Sequence, residues 1–446
     1  MRILCVNPWI HDFSAYDFWS QPLGLLSIAA WLRQMGHHVY FLDCLDPFHP
    51  GMRQQPLIPP PKRKPSGEGK YARERIPKPA SLKSFPRHYH RYGITPKLLD
   101  DALASLPTPD LVLVTAMMTY WYPGVFETIA HLRMAFPGRP TVLGGNYVTL
   151  CPDHARLSGA DLCLTGPAEA ILPGLLKDLG GETMLSLPED DQLDAYPYPA
   201  FDLLPHPVQI PIMTSRGCPY CCSYCASRLT AGPFRQRNPE KVIGEILYWR
   251  RRLGIHHFSF YDDALLVQPG EMAIPMLKGL IATGLPLSFH CPNGLHLREI
   301  NPEISKLMIQ AGFRTLRFGF ETADHEWQRD TGGKVTNDEF LQAVRYLLEA
   351  GYQDRDIGVY LLCGLPGQAA KEVEQSIRFV QSAGARPIIA EYSPIPGTAL
   401  WHQALLTSAY PLAEDPLFHN NTLLPCGHSR LTYEDYQRLK QLCRQR

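Results

Sequence analysis

The stretch PIMTSRGCPYCCSYCAS, residues 211–227, decides how the chain is read. It opens as an apolar strand-like run, 211–216, turns at Gly217-Cys218-Pro219, and sets Cys218, Cys222 and Cys225 at the spacing C-x3-C-x2-C. Three thiolates on one short loop can hold three corners of a cubane [4Fe–4S] cluster and leave the fourth iron open, whereas a structural zinc needs four closed ligands. Cys221 could supply a fourth thiolate, but adjacent Cys221 and Cys222 point in different directions. The pattern favours iron–sulfur over zinc.

Beyond this loop, strand-like runs recur at 256–262, 286–291, 315–320, 356–363 and 388–393, each ending in polar or glycine-rich sequence. Amphipathic helices lie between them. Their starts are marked by Asn238-Pro239-Glu240, Asn301-Pro302-Glu303 and the pair Thr336 with Glu339, a capping box. Six βα units predict a partial (βα)6 TIM-type barrel over 205–405, with its active site at the carboxyl ends of the strands. The cysteine loop sits at the first of those ends.

The N-terminal part alternates as well. Strands are expected at 2–8, 38–44, 111–116, 141–145 and 161–165, and helices at 23–36, 96–106 and 123–135, which makes 1–185 an α/β, doubly wound, Rossmann-like domain. A linker, 186–204, and a short extension, 406–446, complete the expected layout. In such a sheet ligands bind beyond the strand ends, which places Asn7–Asp12, Thr115–Thr119, Gly144-Gly145-Asn146 and Gly166–Glu169 as candidates.

A proline-rich insertion, 45–95, breaks this alternation. Between Gly51 and Tyr92 stand 11 Lys/Arg against 2 Glu, inside a 446-residue chain with 43 basic and 43 acidic residues. Its Tyr71, Ile76, Phe85, Tyr89 and Tyr92 favour an ordered extended segment over a free tail. No nucleic-acid module is recognisable in it, so nucleic acid is an unlikely partner. With 45% hydrophobic and 19% charged residues, disorder of the whole chain is excluded. No run reaches the ~18 apolar residues that span a bilayer, and the start reads as a strand and not as a signal core. A cytoplasmic protein with reduced thiols and no membrane association is expected, its 12 cysteines being mostly scattered singly.

The loop RGCPYCCSYCAS resembles the signature of radical S-adenosylmethionine (SAM) enzymes, and FSFYDDALL, NGLHL, RFGFETAD, LCGLPGQ and YSPIPGTALW agree with that family. The segments NPWIHDFSAYDFW, PLGLLSIAAWL, GGNYVTLCP and LTGPAEAIL resemble the cobalamin domain of its B12-binding subgroup. The resemblance covers residues 1 to about 405. It implies Cys218, Cys222 and Cys225 as cluster ligands, Asp262 and Asp263 near the methionine amino group of SAM, Glu321 at the ribose or methionine, Tyr224 and Gly364 near adenine, and Asn293 near the carboxylate. Asn7, Thr115, Gly144, Gly145, Asn146 and Gly166 would border cobalamin. The Asp-x-His-x-x-Gly string that places a histidine under cobalt is absent: His11 precedes Asp12 in the wrong order.

The resemblance further implies a methyltransferase acting on an unactivated carbon of a small molecule, with a [4Fe–4S] cluster, SAM and cobalamin as cofactors and an electron donor such as flavodoxin or ferredoxin. The alternatives are a radical rearrangement or cyclisation without methyl transfer, and a non-catalytic iron–sulfur or zinc binding module. No residue is assigned a catalytic role by the sequence.

Overall fold

The computed structural model describes residues 1–54, 58, 60–180, 192–427 and 430–445. The end of the expected first domain and the start of the linker lie outside them. The chain divides into two compact units, Met1–Val208 with Asp415–Leu417, and Gln209–Glu414 with Phe418–Arg446. Among the described residues no helix is long and apolar enough to cross a membrane.

In unit one the strands are β1 (Arg2–Asn7), β2 (Ile10–Asp12), β3 (His38–Asp43), β4 (Arg73–Ile76), β5 (Tyr89–Tyr92), β6 (Leu111–Thr115), β7 (Thr141–Gly144) and β8 (Leu162–Cys163). A five-stranded parallel sheet runs β3-β1-β6-β7-β8, with Val6 beside both Leu42 and Val114 and Thr115 beside Gly144. Chain direction across this sheet reverses between β1 and β6, the switch point at which a doubly wound sheet opens a crevice. Period-two alternation gives the sheet its two cores. Leu4, Val6, Val112 and Val114 pack with Leu99, Leu103, Ile129 and Leu132 on one face, while Ile3, Cys5, Leu111 and Leu113 pack with Leu25, Ile28, Trp31 and Leu32 on the other. The strand expected over 161–165 shrinks to two residues at the sheet edge.

Where it is described, the insertion contributes strands and buried aromatic side chains. β4 and β5 join β2 in an antiparallel sheet, β2-β5-β4, and Tyr71, Leu82, Tyr89 and Tyr92 are buried. Before it, Lys62 to Lys70 folds back on itself through Lys64 N–H to Glu68 O and Lys70 N–H to Lys62 O, both 2.9 Å. Gly69 exchanges two backbone hydrogen bonds with Asp17, and the buried Asp17 carboxylate takes the Arg63 guanidinium at 2.5 Å.

In unit two the strands are β9 (Gln209–Ile212), β10 (Ser215–Arg216), β11 (Arg235–Gln236), β12 (His257–Phe260), β13 (Ser288–His290), β14 (Leu295–His296), β15 (Phe313–Glu321), β16 (Ile357–Cys363) and β17 (Arg386–Glu391). Six of them make an all-parallel sheet in chain order, β9-β12-β13-β15-β16-β17, the arrangement of a (βα)6 partial barrel. Helix starts agree with the sequence signals: the Asn238 and Asn301 side chains accept from the first-turn amides, and Thr336 with Glu339 forms the reciprocal box. Phe320 stacks on Phe340 of helix Asn337–Glu349, so the even-numbered side of β15 faces the helices and the odd-numbered side, with Arg317, Gly319 and Glu321, lines the interior.

The observed bounds shift by one to two residues at most strands, and two runs are also interrupted. The run 211–216 is broken after Ile212, because the Asp262 carboxylate takes Thr214 N–H (2.8 Å), Thr214 Oγ1 (2.7 Å) and Ser215 Oγ (2.8 Å). Beyond the break, β10 turns to pair antiparallel with β11. The run 286–291 ends at His290, and β14, five residues on, pairs with β15 a second time.

Candidate functional site

The cysteine loop is held at both ends before any ligand enters. Arg216 faces Arg235 across the β10–β11 pair, and Gly217 turns with φ +77°. A Cβ on Gly217 would stand 2.6 Å from Pro233 O, so only glycine fits this left-handed turn. Farther along, Ser223 N–H reaches Thr331 O at 3.3 Å and its carbonyl accepts from Leu400 N–H at 2.9 Å.

On this loop Cys218 and Cys222 are half-buried, and Cys221 and Cys225 are exposed. The Cys221 sulfur is turned to Arg228, whose Nη1 donates to it at 2.7 Å. Cys225 accepts from Ser227 N–H at 3.4 Å, and the Ser227 hydroxyl donates to Asp263 Oδ2, tying the loop's last cysteine to the end of β12. Among the described residues no three His, Cys, Asp or Glu side chains converge on a point where one ion could sit. With Cys221 engaged by Arg228, the other three thiols are the donor set that a cubane takes, each thiolate binding a different iron.

Glu321 closes β15 in an unusual state. It is buried, its φ is +72°, and the β15–β16 register shifts between Gly319 and Glu321. A non-glycine residue in that conformation is strained, and such strain gathers at functional positions. Burial pushes its carboxyl up, and the Lys334 ammonium, 3.7 Å from Oε1, pulls it back. Gly319 makes the room: a Cβ there would stand 2.5 Å from Lys334 Nζ. The Tyr224 hydroxyl lies between Glu321 and the Cys222 sulfur, and burial beside Glu321 holds its phenol well above the usual range. Burial raises Cys218 to about 11 and also raises Cys222, while Lys334 opposes both shifts.

Cys222, Tyr224, Glu321, Asp263 and Lys334 thus meet at one strand-end surface. Other expected residues are engaged locally. Asp262 Oδ1 holds Thr214 and Ser215, while its Oδ2 is buried with no partner. Asn293 donates to Tyr261 O at 2.8 Å, and the Gly364 amide donates to Gln368 Oε1, also at 2.8 Å. Sequence reasoning missed Lys334, although a lysine after Gly332-Gly333, in the turn between helices His325–Asp330 and Asn337–Glu349, was a readable signal. It also gave no role to His296. That ring packs on Tyr220 at 4.4 Å and is held down to about 3 by burial and by the Lys334 charge.

Unit one carries an open cleft at its switch point. Asn7 and Thr115 line it, with Trp9, Ser20–Pro22, Tyr71, Met117 and Trp121. Asn7 Nδ2 donates to the half-buried Asp43, whose carboxyl is raised by desolvation to about 7. Gly144, Gly145, Asn146 and Gly166 do not line this cleft. A Cβ on Gly144 or Gly166 would meet open space, whereas on Gly145, at φ +101°, it would stand 2.4 Å from Ala116 O. Gly145 therefore lets two strand ends approach, and Gly144 leaves room beside them. The insertion's Tyr71 at the cleft was not foreseen.

Residues 212–380 match the model of the radical SAM superfamily. An uncharacterized methyltransferase of Pyrococcus horikoshii is 27% identical over 67% of this chain and 70% of its own length. The hopanoid C-2 methylase of Rhodopseudomonas palustris is 26% identical over 55% of this chain and 54% of its own. In fold, the chain is similar to the radical SAM methyltransferase TsrM of Kitasatospora setae, with a TM-score of 0.66 and 17% identity over 95% of this chain and 83% of that one. TsrM has also been solved with cobalamin and a [4Fe–4S] cluster bound.

Proposed function

We propose that this chain, which belongs to the B12-binding radical SAM family, methylates an unactivated carbon of a small-molecule substrate. When bound, a [4Fe–4S] cluster, SAM and cobalamin supply electron transfer, a hydrogen-abstracting radical and a transferable methyl group. Cys218, Cys222 and Cys225 would hold the cluster. The Tyr224–Glu321–Lys334 group would receive the polar parts of SAM, with Lys334 facing its carboxylate and the buried oxygens of Glu321 and Asp262 accepting hydrogen bonds. The unit-one cleft and the open space at Gly144 would receive parts of cobalamin. A small redox protein, flavodoxin or ferredoxin, would deliver the electron.

The observation that carries this reading is the gathering of Cys222, Tyr224, Asp263, Glu321 and Lys334 at one strand end, with Cys221 turned away to Arg228. Anaerobic reconstitution with SAM and a strong reductant tests it. The expected result is 5′-deoxyadenosine together with S-adenosylhomocysteine, the latter only when cobalamin is present. Deoxyadenosine without cobalamin-dependent S-adenosylhomocysteine would support rearrangement chemistry instead.

A further inference from the structure

The sheet β2-β5-β4 has two unlike faces. Its register aligns His11 with Arg91 and Glu74, and flanks that row with Ile10–Tyr92–Arg73 on one side and Asp12–His90–Arg75 on the other. Residues paired directly across strands share a face, and neighbours along a strand alternate. On the first face charge is closed: Arg91 is bridged by Glu74 at 2.9 Å and by Glu127. On the second face Arg73 and Arg75 stand exposed beside His90, with Arg87 and His88 just before β5.

Among the described residues none of Arg73, Arg75 and Arg87 has a carboxylate within ion-pair distance. Asp12, in their row, turns its carboxylate to Trp121 Nε1 (2.8 Å) and Phe13 N–H (2.6 Å). The density of positive charge is felt by His90, which burial and then Arg73, His88, Arg75 and Arg87 hold down to about 4. Edge strands often carry charge to prevent pairing. Edge protection alone does not call for Arg73, Arg75 and His90 sharing one face, with Arg87 and His88 close enough to act on His90, in a chain whose net charge is zero.

We propose that this face binds a phosphate-bearing small molecule, its phosphate or diphosphate group held by Arg73, Arg75 and Arg87 with His88 and His90. Guanidinium forks match phosphate oxygens two at a time, and a compact dianion neutralises several cations at once, which a single carboxylate cannot do. Ile10 lies on the same face, opposite Tyr92, and lines the cleft of unit one. Arg73 is two strands from it, roughly 10 Å. The inference is independent of the methylation reading.

Inorganic pyrophosphate is the probe, titrated calorimetrically into the full chain at constant ionic strength, both cobalamin-free and cobalamin-loaded. Saturable binding is expected in both forms, weakened about tenfold by Arg73→Gln or Arg75→Gln, abolished by the double variant, and unaffected by Arg251→Gln on an exposed helix end. Absence of saturable binding, or equal losses in all variants, overturns the proposal in favour of edge protection. Binding lost on cobalamin loading also overturns it, since the occupant would then be the cofactor's own phosphodiester. An RNA oligonucleotide that binds more tightly than pyrophosphate and displaces it would rule out the small-molecule reading.

Discussion

Adjacent residues here have opposite fates, and single substitutions should separate them. Cys221→Ala should retain about four irons after reconstitution, whereas alanine at Cys218, Cys222 or Cys225 should lose them, because the Cys221 sulfur already faces Arg228. Iron and sulfide analysis decides it: iron loss in Cys221→Ala with retention in Cys222→Ala reverses the assignment. Gly144→Trp should fill open space and block cobalamin uptake while the cluster assembles normally. Gly145→Ala should cost about 1–3 kcal/mol of stability, since its Cβ would overlap Ala116 O. Corrin absorbance and melting curves read the two effects, and equal cobalamin content in Gly144→Trp counts against the placement. Asp262 gives a pH signature. Its carboxyl is raised by burial from 3.8 to about 6, so the folded chain keeps a proton that the unfolded chain releases between those values. Stability from this group is fullest below pH 4 and declines as pH rises to 6, by about 3 kcal/mol in all. Urea midpoints of wild type and Asp262→Asn should diverge across that interval, and parallel curves would remove the argument. The cysteine loop was legible because its spacing is local. Lys334 and the strain at Glu321 were not, because they arise from a register shift and a loop return that no spacing encodes.

At the level of elements, alternation and capping residues located the six barrel strands and most helices, since both signals lie within a few residues of what they specify. The interruption after Ile212 escaped that reading. It depends on a carboxylate fifty positions away. The insertion was legible as ordered from its tyrosines, yet not as a sheet, because β2, which completes it, is only three residues long and comes directly after β1. The 62–70 turn gives the element its own test. Arg63 and Asp17 form a nearly fully buried ion pair, and removing one partner leaves the other charge stranded. Arg63→Ala should lower stability by roughly 3 kcal/mol and open the bond after Lys62 to trypsin, which in wild type should cut there slowly. Fast cleavage of the wild type would show that the turn is not held.

For the whole molecule, each unit carries its own cofactor candidate region, so loading should be separable: the cysteine variants should keep cobalamin and Gly144→Trp should keep the cluster. Among the described residues no histidine lines the unit-one cleft, and His11 Nε2 lies 3.2 Å from Glu127 Oε2. Bound cobalamin in its paramagnetic form should accordingly lack nitrogen superhyperfine splitting from a protein imidazole. Splitting that vanishes in His11→Ala would reverse this conclusion. The β10–β11 pair has one more consequence. Because it clamps the loop between Arg216 and Arg235, the entropy of closing that loop, about 2–3 kcal/mol, is already lost when the bare polypeptide folds. Oxidative destruction of the inorganic core should then leave a receptor still shaped for iron and sulfide, so that air-inactivated molecules can be repaired in place and need not be degraded and resynthesised.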